Sequence, residues 1–525
     1  MTGFTINYEL STIEMIKRDF LVIGAGIAGL SYAIKVALKW PDAKVMVLSK
    51  EGFDNSNTQY AQGGIAGVLP CSNDQVFKHV EDTMIAGDHQ NNKEIVKMVV
   101  EEASESIDDL INWGVDFDKN NKGKYDLGLE GGHSKNRVLH HKDFTGREIQ
   151  DKLLKQAIVL PNIELLHHHF ALELITSKNS DRVVGAYIYS AVSERVETVV
   201  SKVAFIATGG IGQVYKTTTN PNVATGDGIA LAFRIGANIE GMELVQFHPT
   251  ALFGDTGDRA FLISEAVRGA GAILRNENGE AYMDKYDVRK DLAPRDIVAR
   301  ANLNEIKKST IPYVFLDVTH IQDNEFDEHF PVISAKCKEL GLDLRKDYIP
   351  VAPAAHYLCG GISVDNKGKS SLDGMYACGE CSSTGLHGTN RLASNSLLEA
   401  VVYANQSYKS TLDEFDEIYF EEGVDEFWHP VVKKNISLDL PLTELRKKLQ
   451  WLMSSYMAVE RSNDSIKVMA KEVKEISSKF EDLISGKAYT IKSLEFRNLL
   501  SVAQLIIEHS LGRSKNSGVF YNKDL

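Results

Sequence analysis

The feature that most constrains the fold is a glycine fingerprint near the start of the chain. Residues 24–29 read G-A-G-I-A-G and follow an apolar run over residues 18–23. A helical pattern then continues to about Lys39, and a second apolar run covers residues 45–48. A strand, a G-x-G-x-x-G turn, a helix and a second strand in this order predict a Rossmann-like dinucleotide-binding unit.

The fingerprint assigns a separate task to each glycine but does not identify the dinucleotide. We expect Gly24 to form the tight turn, Gly26 to admit a pyrophosphate and Gly29 to let helix and strand pack closely. The acid that often follows the second strand and binds a ribose is absent, and Ser49 and Lys50 stand there. A serine hydroxyl can bond a ribose, whereas Lys50 suits a phosphate or a backbone carbonyl. The motif alone does not separate NAD from FAD.

Length and charge limit the class of protein. A chain of 525 residues is too long for one compact core, so about two or three domains are expected. The net charge of −14 argues against nucleic acid and anionic membrane surfaces as partners. No apolar run reaches the ~18–20 residues of a membrane helix, and residues 1–19 lack the apolar core of a secretory signal. Five cysteines in such a chain indicate a reducing compartment, so we predict a cytoplasmic location.

A second glycine-rich stretch, residues 374–400, concentrates groups suited to an anionic ligand. It contains Glu380, continues through a loop of small polar residues and predicts a helix from Ser396. Arg391 lies in that loop, and its planar guanidinium suits a carboxylate. The alternative is an ordinary connection with a surface arginine. The length and glycine content of the loop favour a functional site.

The same stretch contains a C-x-x-C pair, Cys378 and Cys381. Such a pair is found in redox sites and in half of a zinc site. The sequence has no second C-x-x-C to complete a metal site, and the pair encloses the glycine and acid of the loop. We therefore predict no metal.

Two polar loops have open roles. Residues 57–64 read N-T-Q-Y-A-Q-G-G and could lie along a flavin ring or form an ordinary hairpin loop, and the residues alone favour neither. Glu130 precedes two glycines, where its carboxylate could face a cation such as a substrate amine. Because a lone loop glutamate is usually only solvated, this second signal is weak by itself.

The nucleotide-binding pattern is interrupted between about residues 242 and 356, which predicts an inserted domain. Arg295 follows a proline at the start of a predicted helix, where the helix dipole disfavours a cation. Such a broken local rule is a hint of function. Most histidines and arginines in such positions are structural. His248, Arg295, His356 and Arg391 nevertheless all lie in glycine- or proline-bracketed loops at domain edges, which favours a shared ligand site.

Several long motifs in a fixed order carry a family resemblance. Beside the fingerprint and the Q-G-G loop at 57–64, the chain has Q-F-H-P-T at 246–250, A-P-R-D-I-V-A-R at 293–300, P-A-A-H-Y-L-C-G-G at 353–361 and G-T-N-R-L-A-S-N-S-L-L-E at 388–399. Together they resemble the succinate dehydrogenase/fumarate reductase flavoprotein superfamily, and within it the branch that oxidises L-aspartate. The resemblance spans nearly the whole chain, including the helical pattern after Leu442.

The resemblance implies an α/β fold. Residues 1–242 and 357–410 would form a Rossmann-like FAD-binding domain. Residues 243–356 would form an inserted α+β capping domain, and residues 430–525 a C-terminal helical bundle.

It also implies FAD as the cofactor and a set of residues along it. That set is Gly24, Ala25, Gly26, Ile27, Ala28, Gly29, Lys50, Asn57, Thr58, Gln59, Tyr60, Ala61, Gln62, Gly63, Gly64, Asp227, Glu380, Ser396 and Leu397. Membrane-complex relatives attach FAD through a histidine at the position of Asn57. Because asparagine cannot form that bond, we expect the FAD to be non-covalent.

The substrate residues are implied in the same way. His248, Ser264, Glu265, His356 and Arg391 would hold two carboxylates, and Arg295 stands at the family's proton-donor position. The dicarboxylate enzymes have an apolar residue where this chain has Glu130, so that carboxylate is expected to bind an ammonium group. Arginine is effectively always protonated, so Arg295 could instead be only a charge clamp.

The implied activity is FAD-dependent oxidation of L-aspartate to iminosuccinate, with oxygen or fumarate as the electron acceptor. This would be the first step of NAD biosynthesis through quinolinate, with hand-off of the product to quinolinate synthase. Two alternatives are a soluble fumarate reductase or succinate dehydrogenase-type enzyme, and a non-catalytic flavin module that binds RNA or a protein. The net charge and the histidine–arginine cluster argue against the second.

Overall fold

The computed structural model describes residues 15–525 apart from 71–73, 179, 255–256, 258, 322, 422–430 and 434–435. Part of the N-terminal segment interpreted above as lacking a secretory signal, residues 1–14, therefore lies outside the described residues. None of the helices in the described part of the chain is both long enough and apolar enough to span a bilayer.

The strands, in chain order, are β1 (Met15–Ile23), β2 (Val45–Ser49), β3 (Ile65–Ala66), β4 (Leu127–Gly128), β5 (Val138–Leu139), β6 (Ile163–His167), β7 (His169–Thr176), β8 (Val183–Ser190), β9 (Arg195–Ile206), β10 (Ile239–Glu240), β11 (Val245–Leu252), β12 (Ile273–Arg275), β13 (Val314–Asp317), β14 (Ile349–Leu358), β15 (Gly361–Ser363), β16 (Met375–Ala377) and β17 (Ser382–Ser383).

The helices are α1 (Ile27–Lys39), α2 (Val76–Ala86), α3 (Lys93–Glu101), α4 (Ala103–Asn112), α5 (Thr145–Ile158), α6 (Asp227–Arg234), α7 (Glu265–Gly269), α8 (Arg295–Lys308), α9 (Asp323–His329), α10 (Pro331–Glu339), α11 (Asn395–Glu414), α12 (Ile436–Tyr456), α13 (Asn463–Ile484) and α14 (Ile491–Leu511). Helix α1 ends at Lys39 as the sequence pattern predicts, and the helix predicted from Ser396 begins one residue earlier.

The largest sheet has the order β6-β2-β1-β9-β8-β7, with β16 paired to β9. Strands β6, β2, β1, β9 and β16 run parallel, and β8 and β7 extend the sheet antiparallel. Strand β1 has a fully buried end, which is the reason its residues read as a short apolar run. Helices α1, α3, α4 and α11 share a core on one face of the sheet, and α6 and α12–α14 share a core on the other. This layering confirms the α/β fold class.

A second, antiparallel sheet with the order β11-β14-β13-β12 lies within residues 245–358. It has a separate buried core drawn from residues 252–351. Helix α8 packs on β11, and its first residue, Arg295, donates a hydrogen bond to Gln246 of that strand. Two smaller three-stranded sheets, β3-β5-β4 and β10-β15-β17, complete the described strands.

Candidate active site

A long cavity lies where the parallel strands of the large sheet end. Its wall includes the residues that come after β1 (24–28), β2 (Lys50), β9 (207–209) and β16 (378–380). Ligands of open parallel sheets bind at the carboxyl ends of the strands, because connecting loops and helix N-termini meet there. The cavity is therefore in the place that the fingerprint predicts.

The glycine fingerprint forms a cradle that a side chain would block. A Cβ atom on Gly24, whose φ is +115°, would lie 2.1 Å from the carbonyl oxygen of Ala207. One on Gly29 would lie 2.0 Å from the carbonyl oxygen of Gly24, so Gly29 serves close packing. Helix α1 starts at Ile27, whose N–H donates to Thr58 Oγ1 at 3.0 Å. The N-terminus of a helix favours a pyrophosphate, so the start of α1 beside this glycine cradle suits FAD.

Nearly all of the residues predicted to contact cofactor or substrate lie on this one wall. Only two of them do not, namely Gly29, which packs behind the turn, and Gln59. The cavity is also lined by residues that sequence reasoning did not select, among them Gly52, Phe53, Asn55, Ser56, His169, Phe170, Ala171, Thr208, Gly209, Thr219, Asn220, Arg259, Leu262, Tyr357 and Ser394.

Lys50 has partners that the sequence does not suggest. Its Nζ donates to Thr225 Oγ1 at 2.6 Å, Asp227 Oδ2 at 2.8 Å and Glu495 Oε1 at 2.7 Å. Burial by itself would lower the pKa of Lys50, but the two carboxylates outweigh it and raise it. No backbone carbonyl is among these three partners, and a contact between Lys50 and a phosphate stays a prediction. The lysine ties β2 to α6 and to α14 at the end of the cavity.

Asn57 and Glu380 form a buried pair on the wall. Asn57 Nδ2 donates to Glu380 Oε2 at 2.8 Å, and the Leu358 N–H donates to Glu380 Oε1 at 3.1 Å. Burial raises the pKa of Glu380 to about 7, despite these two donors. The amide of Asn57 is thus occupied by a protein carboxylate.

The two cysteines of the C-x-x-C pair are both buried and unbonded to each other. The Cys378 thiol donates to the Ala400 carbonyl and the Cys381 thiol to the Ile206 carbonyl, each at 3.3 Å. Burial raises the pKa of Cys381 to about 11, so it is a neutral thiol. Across the described residues, no group of three or more His, Cys, Asp and Glu side chains is placed to hold a metal ion.

Arg295 is the first residue of α8 and belongs to a chain of three charged groups. Its Nε donates to Glu265 Oε2 at 2.5 Å, and Arg268 donates to Glu265 Oε1 at 2.9 Å. A second Arg295 donor reaches Gln246 Oε1 at 3.0 Å. Burial would raise the pKa of Glu265, but Arg295 and Arg268 outweigh it and lower it.

Arg391 supplies a cation that has no carboxylate partner among the described residues. Its guanidinium lies 4.1 Å from the ring centre of Tyr357, and one terminal nitrogen donates to Ser396 Oγ at 2.6 Å. Its buried Nε has no hydrogen-bond partner in the described part of the chain. Burial, followed by repulsion from Arg295, lowers the pKa of Arg391 to about 10, so it stays charged at neutral pH. A buried, incompletely bonded guanidinium on a cavity wall is suited to an anion.

Tyr357 is held in turn by a buried carboxylate. Its hydroxyl donates to Glu399 Oε2 at 2.9 Å, and His387 Nε2 lies 3.0 Å from the same oxygen. This arrangement fixes the ring on which Arg391 lies.

Two neutral histidines complete the polar end of the cavity. Burial lowers the pKa of both His248 and His356 well below the usual value, with Arg295 as the next cause in each case. The Thr250 N–H donates to His248 Nδ1 at 3.3 Å, so the proton of His248 lies on Nε2. That buried Nε2 has no partner among the described residues, which makes it a free donor. His356 Nδ1 shares a 2.7 Å hydrogen bond with Thr219 Oγ1.

Glu130 adds a carboxylate to this cationic end. It is buried and accepts a 2.6 Å hydrogen bond from Ser394 Oγ, and no cation lies within ion-pair distance of it in the described part of the chain. Burial and the nearby Glu265 raise the pKa of Glu130. A buried carboxylate without a cation is costly, so this site suits a ligand that brings a positive group.

Sequence reasoning missed four residues that shape this end of the cavity, namely Gln246, Tyr357, Ser394 and Arg268. Gln246, Tyr357 and Ser394 each lie inside a motif quoted above, so membership of the motif was a usable signal. Arg268 is different, because nothing in its local sequence marks it as the third member of a buried ion chain. Ser264 lies on the wall but also caps α7, accepting from the Ala266 N–H at 3.3 Å.

Comparison with known proteins shows which family this chain resembles. Residues 19–397 match the family model described as FAD binding domain, and residues 446–525 match the one described as fumarate reductase flavoprotein C-term. A chloroplastic L-aspartate oxidase 2-b of Nicotiana tabacum is 41% identical, covering 96% of this chain and 81% of the relative. An L-aspartate oxidase of Vibrio cholerae is 40% identical, covering 96% and 95%.

Solved structures agree with the fold. A mutant FrdA chain of E. coli quinol fumarate reductase superposes with a TM-score of 0.88 at 27% identity, covering 97% of this chain and 92% of that one. Mycobacterium smegmatis Sdh1 superposes with a TM-score of 0.82 at 28% identity, covering 98% and 90%.

Proposed function

The chain belongs to the L-aspartate oxidase family of flavoproteins, and from that premise we propose that it oxidises L-aspartate to iminosuccinate at the cavity described above. FAD is its cofactor, in agreement with the family model and with the glycine cradle at the start of α1. The oxidation serves the synthesis of the nicotinamide dinucleotides.

The observation that carries the proposal is that Glu130 lies in one cavity with Arg295, Arg391, His248 and His356. L-Aspartate has two carboxylates and one ammonium group. Arg391 and the His248 Nε2–H are donors for carboxylates, and Glu130 is the complementary group for the ammonium. A site for a simple dicarboxylate has no need of a buried acid in this position.

When bound, FAD supplies the two-electron acceptor for the hydrogen that leaves Cα with its electron pair. The chain's own residues position the substrate and handle charge. One proton must leave the ammonium nitrogen so that its lone pair can form the C=N bond. Glu130, whose pKa burial raises, is suited to receive it. No proton leaves Cβ in this reaction, so Arg295 acts in it as a charge clamp.

A second activity, reduction of fumarate, is favoured by the Arg295–Glu265–Arg268 chain. That reaction requires a proton at Cβ of the product. An arginine can donate a proton only if it is promptly reprotonated, and Glu265 contacts both arginines for such a relay. Fumarate is therefore proposed, beside oxygen, as an acceptor for the electrons from aspartate.

The test of the proposed function compares two substrates on the anaerobic holoenzyme. Flavin absorbance is followed in a stopped-flow instrument after mixing with L-aspartate or with succinate. We expect rapid bleaching with L-aspartate and much slower bleaching with succinate. Faster bleaching with succinate would favour the dicarboxylate enzyme, and no bleaching with either would favour a non-catalytic flavin module.

The first prediction concerns how FAD is held. Because Asn57 has an amide where covalent attachment needs an imidazole, the FAD should be non-covalent. Acid precipitation of the purified holoprotein is expected to release yellow flavin into the supernatant. Flavin fluorescence that stays with the washed pellet would contradict this prediction.

The second prediction concerns selection for the amine. Glu130→Gln removes one charge-assisted contact, worth ~1.5–3 kcal/mol, so kcat/KM for L-aspartate should fall roughly 10- to 150-fold. Reduction of fumarate, which has no ammonium group, should fall far less. Initial rates with both substrates measure the difference. Equal losses would indicate that Glu130 is only structural.

The chemistry of the product favours rapid use by a second enzyme. Iminosuccinate contains an imine that water hydrolyses, so rapid hand-off to the quinolinate-forming step, catalysed by quinolinate synthase, is our proposal for its fate. The cytoplasm, as a reducing compartment, is the proposed setting, supported by the small number of cysteines.

A further inference from the structure

Ser394 has an unusual backbone for a serine at the start of a helix. It is the N-cap of α11, with φ of 59° and ψ of 0°. A serine N-cap normally has an extended backbone and accepts a hydrogen bond from the first turn, but Ser394 makes no such bond. Its left-handed conformation favours glycine over serine. The side chain is therefore present for something other than helix capping.

The hydroxyl of Ser394 is directed at the carboxylate that we assign to the substrate ammonium. Ser394 Oγ lies 2.6 Å from Glu130 Oε2, and both residues are buried. The other oxygen, Oε1, lies beside Gly63, where an added Cβ would be 2.9 Å away. One carboxylate oxygen is thus fixed by the serine, while the other faces the Q-G-G loop on the cavity wall.

The backbone around Ser394 is anchored so that this hydrogen bond is well defined. The Ala66 N–H donates to the Ser394 carbonyl at 3.1 Å. His133 Nε2 lies 2.9 Å from the Ala393 carbonyl, while Arg137 donates to His133 Nδ1 at 2.9 Å. Because arginine can only donate, the His133 proton is on Nε2 and is given to that carbonyl. The loop of Glu130 and the loop of Ser394 are therefore joined at two points.

We propose that Ser394 is a specificity-determining positioning residue, whose hydroxyl holds Glu130 ionised and aimed at the ammonium group of the substrate. This inference rests on the proposed function. Burial and Glu265 raise the pKa of Glu130, whereas the Ser394 hydroxyl, Arg295 and Arg391 lower it. Of the three groups that lower the pKa, only Ser394 is hydrogen-bonded to the Glu130 carboxylate. Without it, Glu130 takes up a proton more readily and loses its charge complement to an ammonium.

The test uses two variants of the holoenzyme that remove the hydroxyl in different ways. Ser394→Ala keeps a Cβ in the left-handed conformation, whereas Ser394→Gly removes the strain as well. We expect both to lower the ratio of kcat/KM for L-aspartate oxidation to that for fumarate reduction by roughly 10- to 100-fold. If Ser394→Gly keeps the wild-type ratio, the side chain only sets the backbone and the proposal is wrong.

A double-mutant cycle tests whether Ser394 acts through Glu130. In the Glu130→Gln background, Ser394→Gly should change the aspartate-to-fumarate ratio less than about twofold, because its target is gone. An undiminished effect in that background would overturn the proposal.

An equilibrium measurement separates this inference from the proposed function. Calorimetry on the anaerobically reduced enzyme, which cannot oxidise the ligand, gives the affinities for L-aspartate and succinate. Ser394→Gly should weaken L-aspartate roughly 10- to 100-fold and succinate much less. A wild-type enzyme that binds but does not oxidise L-aspartate refutes the proposed function alone. Equal weakening of both ligands refutes the role of Ser394 alone.

Discussion

Replacing Arg391 with alanine is expected to lower kcat/KM for L-aspartate by roughly 30- to 5,000-fold. Truncating one member of a buried charge pair costs ~2–5 kcal/mol, and that free energy converts directly into the ratio of kcat/KM values. Arg391 is buried on the cavity wall, its Nε has no partner, and no carboxylate pairs with it among the described residues. The substrate carboxylate is the charge that it is placed to bind. Steady-state kinetics on the FAD-loaded variant measure the loss.

The conservative change Arg391→Lys separates charge from geometry. Lysine keeps the positive charge but loses the planar fork and the stacking on Tyr357, so KM should rise more than kcat falls. Arg289→Ala is a matched control, because that guanidinium pairs with Asp287 at the surface and is not on the cavity wall. Loss of FAD from the Arg391 variants but not from the control would show that Arg391 supports the fold instead of the substrate.

The nucleotide-binding part of the fold could be predicted because its signals are local. The glycines recur at a fixed short spacing, and Gly29 is required by Gly24 and Val22, which are only a few residues away. The helical spacing that ends α1 at Lys39 is equally local. The order of strands in the large sheet could not be obtained in this way. The pairing of β9 with both β1 and β16 joins residues far apart in the sequence, with no local pattern to mark it.

In the candidate site, the residues could be selected from local sequence, but their contacts could not. Arg295, Arg391, His248 and His356 could be selected because each stands in a glycine- or proline-bracketed motif. The prediction that all four lie in loops was wrong, since His248 lies in β11, His356 in β14 and Arg295 at the start of α8, which leaves only Arg391 in a loop. Which groups they contact could not be predicted. Lys50 illustrates the difficulty, since its partner Glu495 is 445 residues away on α14. The residues next to Lys50 in the sequence give no sign of the carboxylates that surround it in the fold.

Arg295→Lys is expected to lower fumarate reduction by about 10²- to 10⁴-fold, the usual contribution of a positioned general acid, while oxygen-dependent oxidation of L-aspartate falls much less. Arg295 contacts Glu265 and Gln246 through two separate nitrogens, a geometry that the single ammonium of lysine cannot reproduce. Lysine keeps the positive charge needed to hold a carboxylate. In the lysine variant the contact with Glu265 that serves the proton relay is lost or displaced. Fumarate reduction should therefore fall most, because only that reaction needs a proton at Cβ.

The two reactions have to be followed separately to decide between the roles of Arg295. Reoxidation of the reduced enzyme by fumarate reports the proton-requiring step, and anaerobic bleaching by L-aspartate reports the step that needs only a clamp. Arg300→Lys is the matched control, since it makes the same change on α8 at a residue that pairs with Asp296 and does not line the cavity. If Arg295→Lys slows both steps by the same factor, Arg295 is a charge clamp alone. A selective loss of fumarate reduction means that Arg295 delivers the proton, because fumarate reduction needs a proton at Cβ and oxidation of L-aspartate does not.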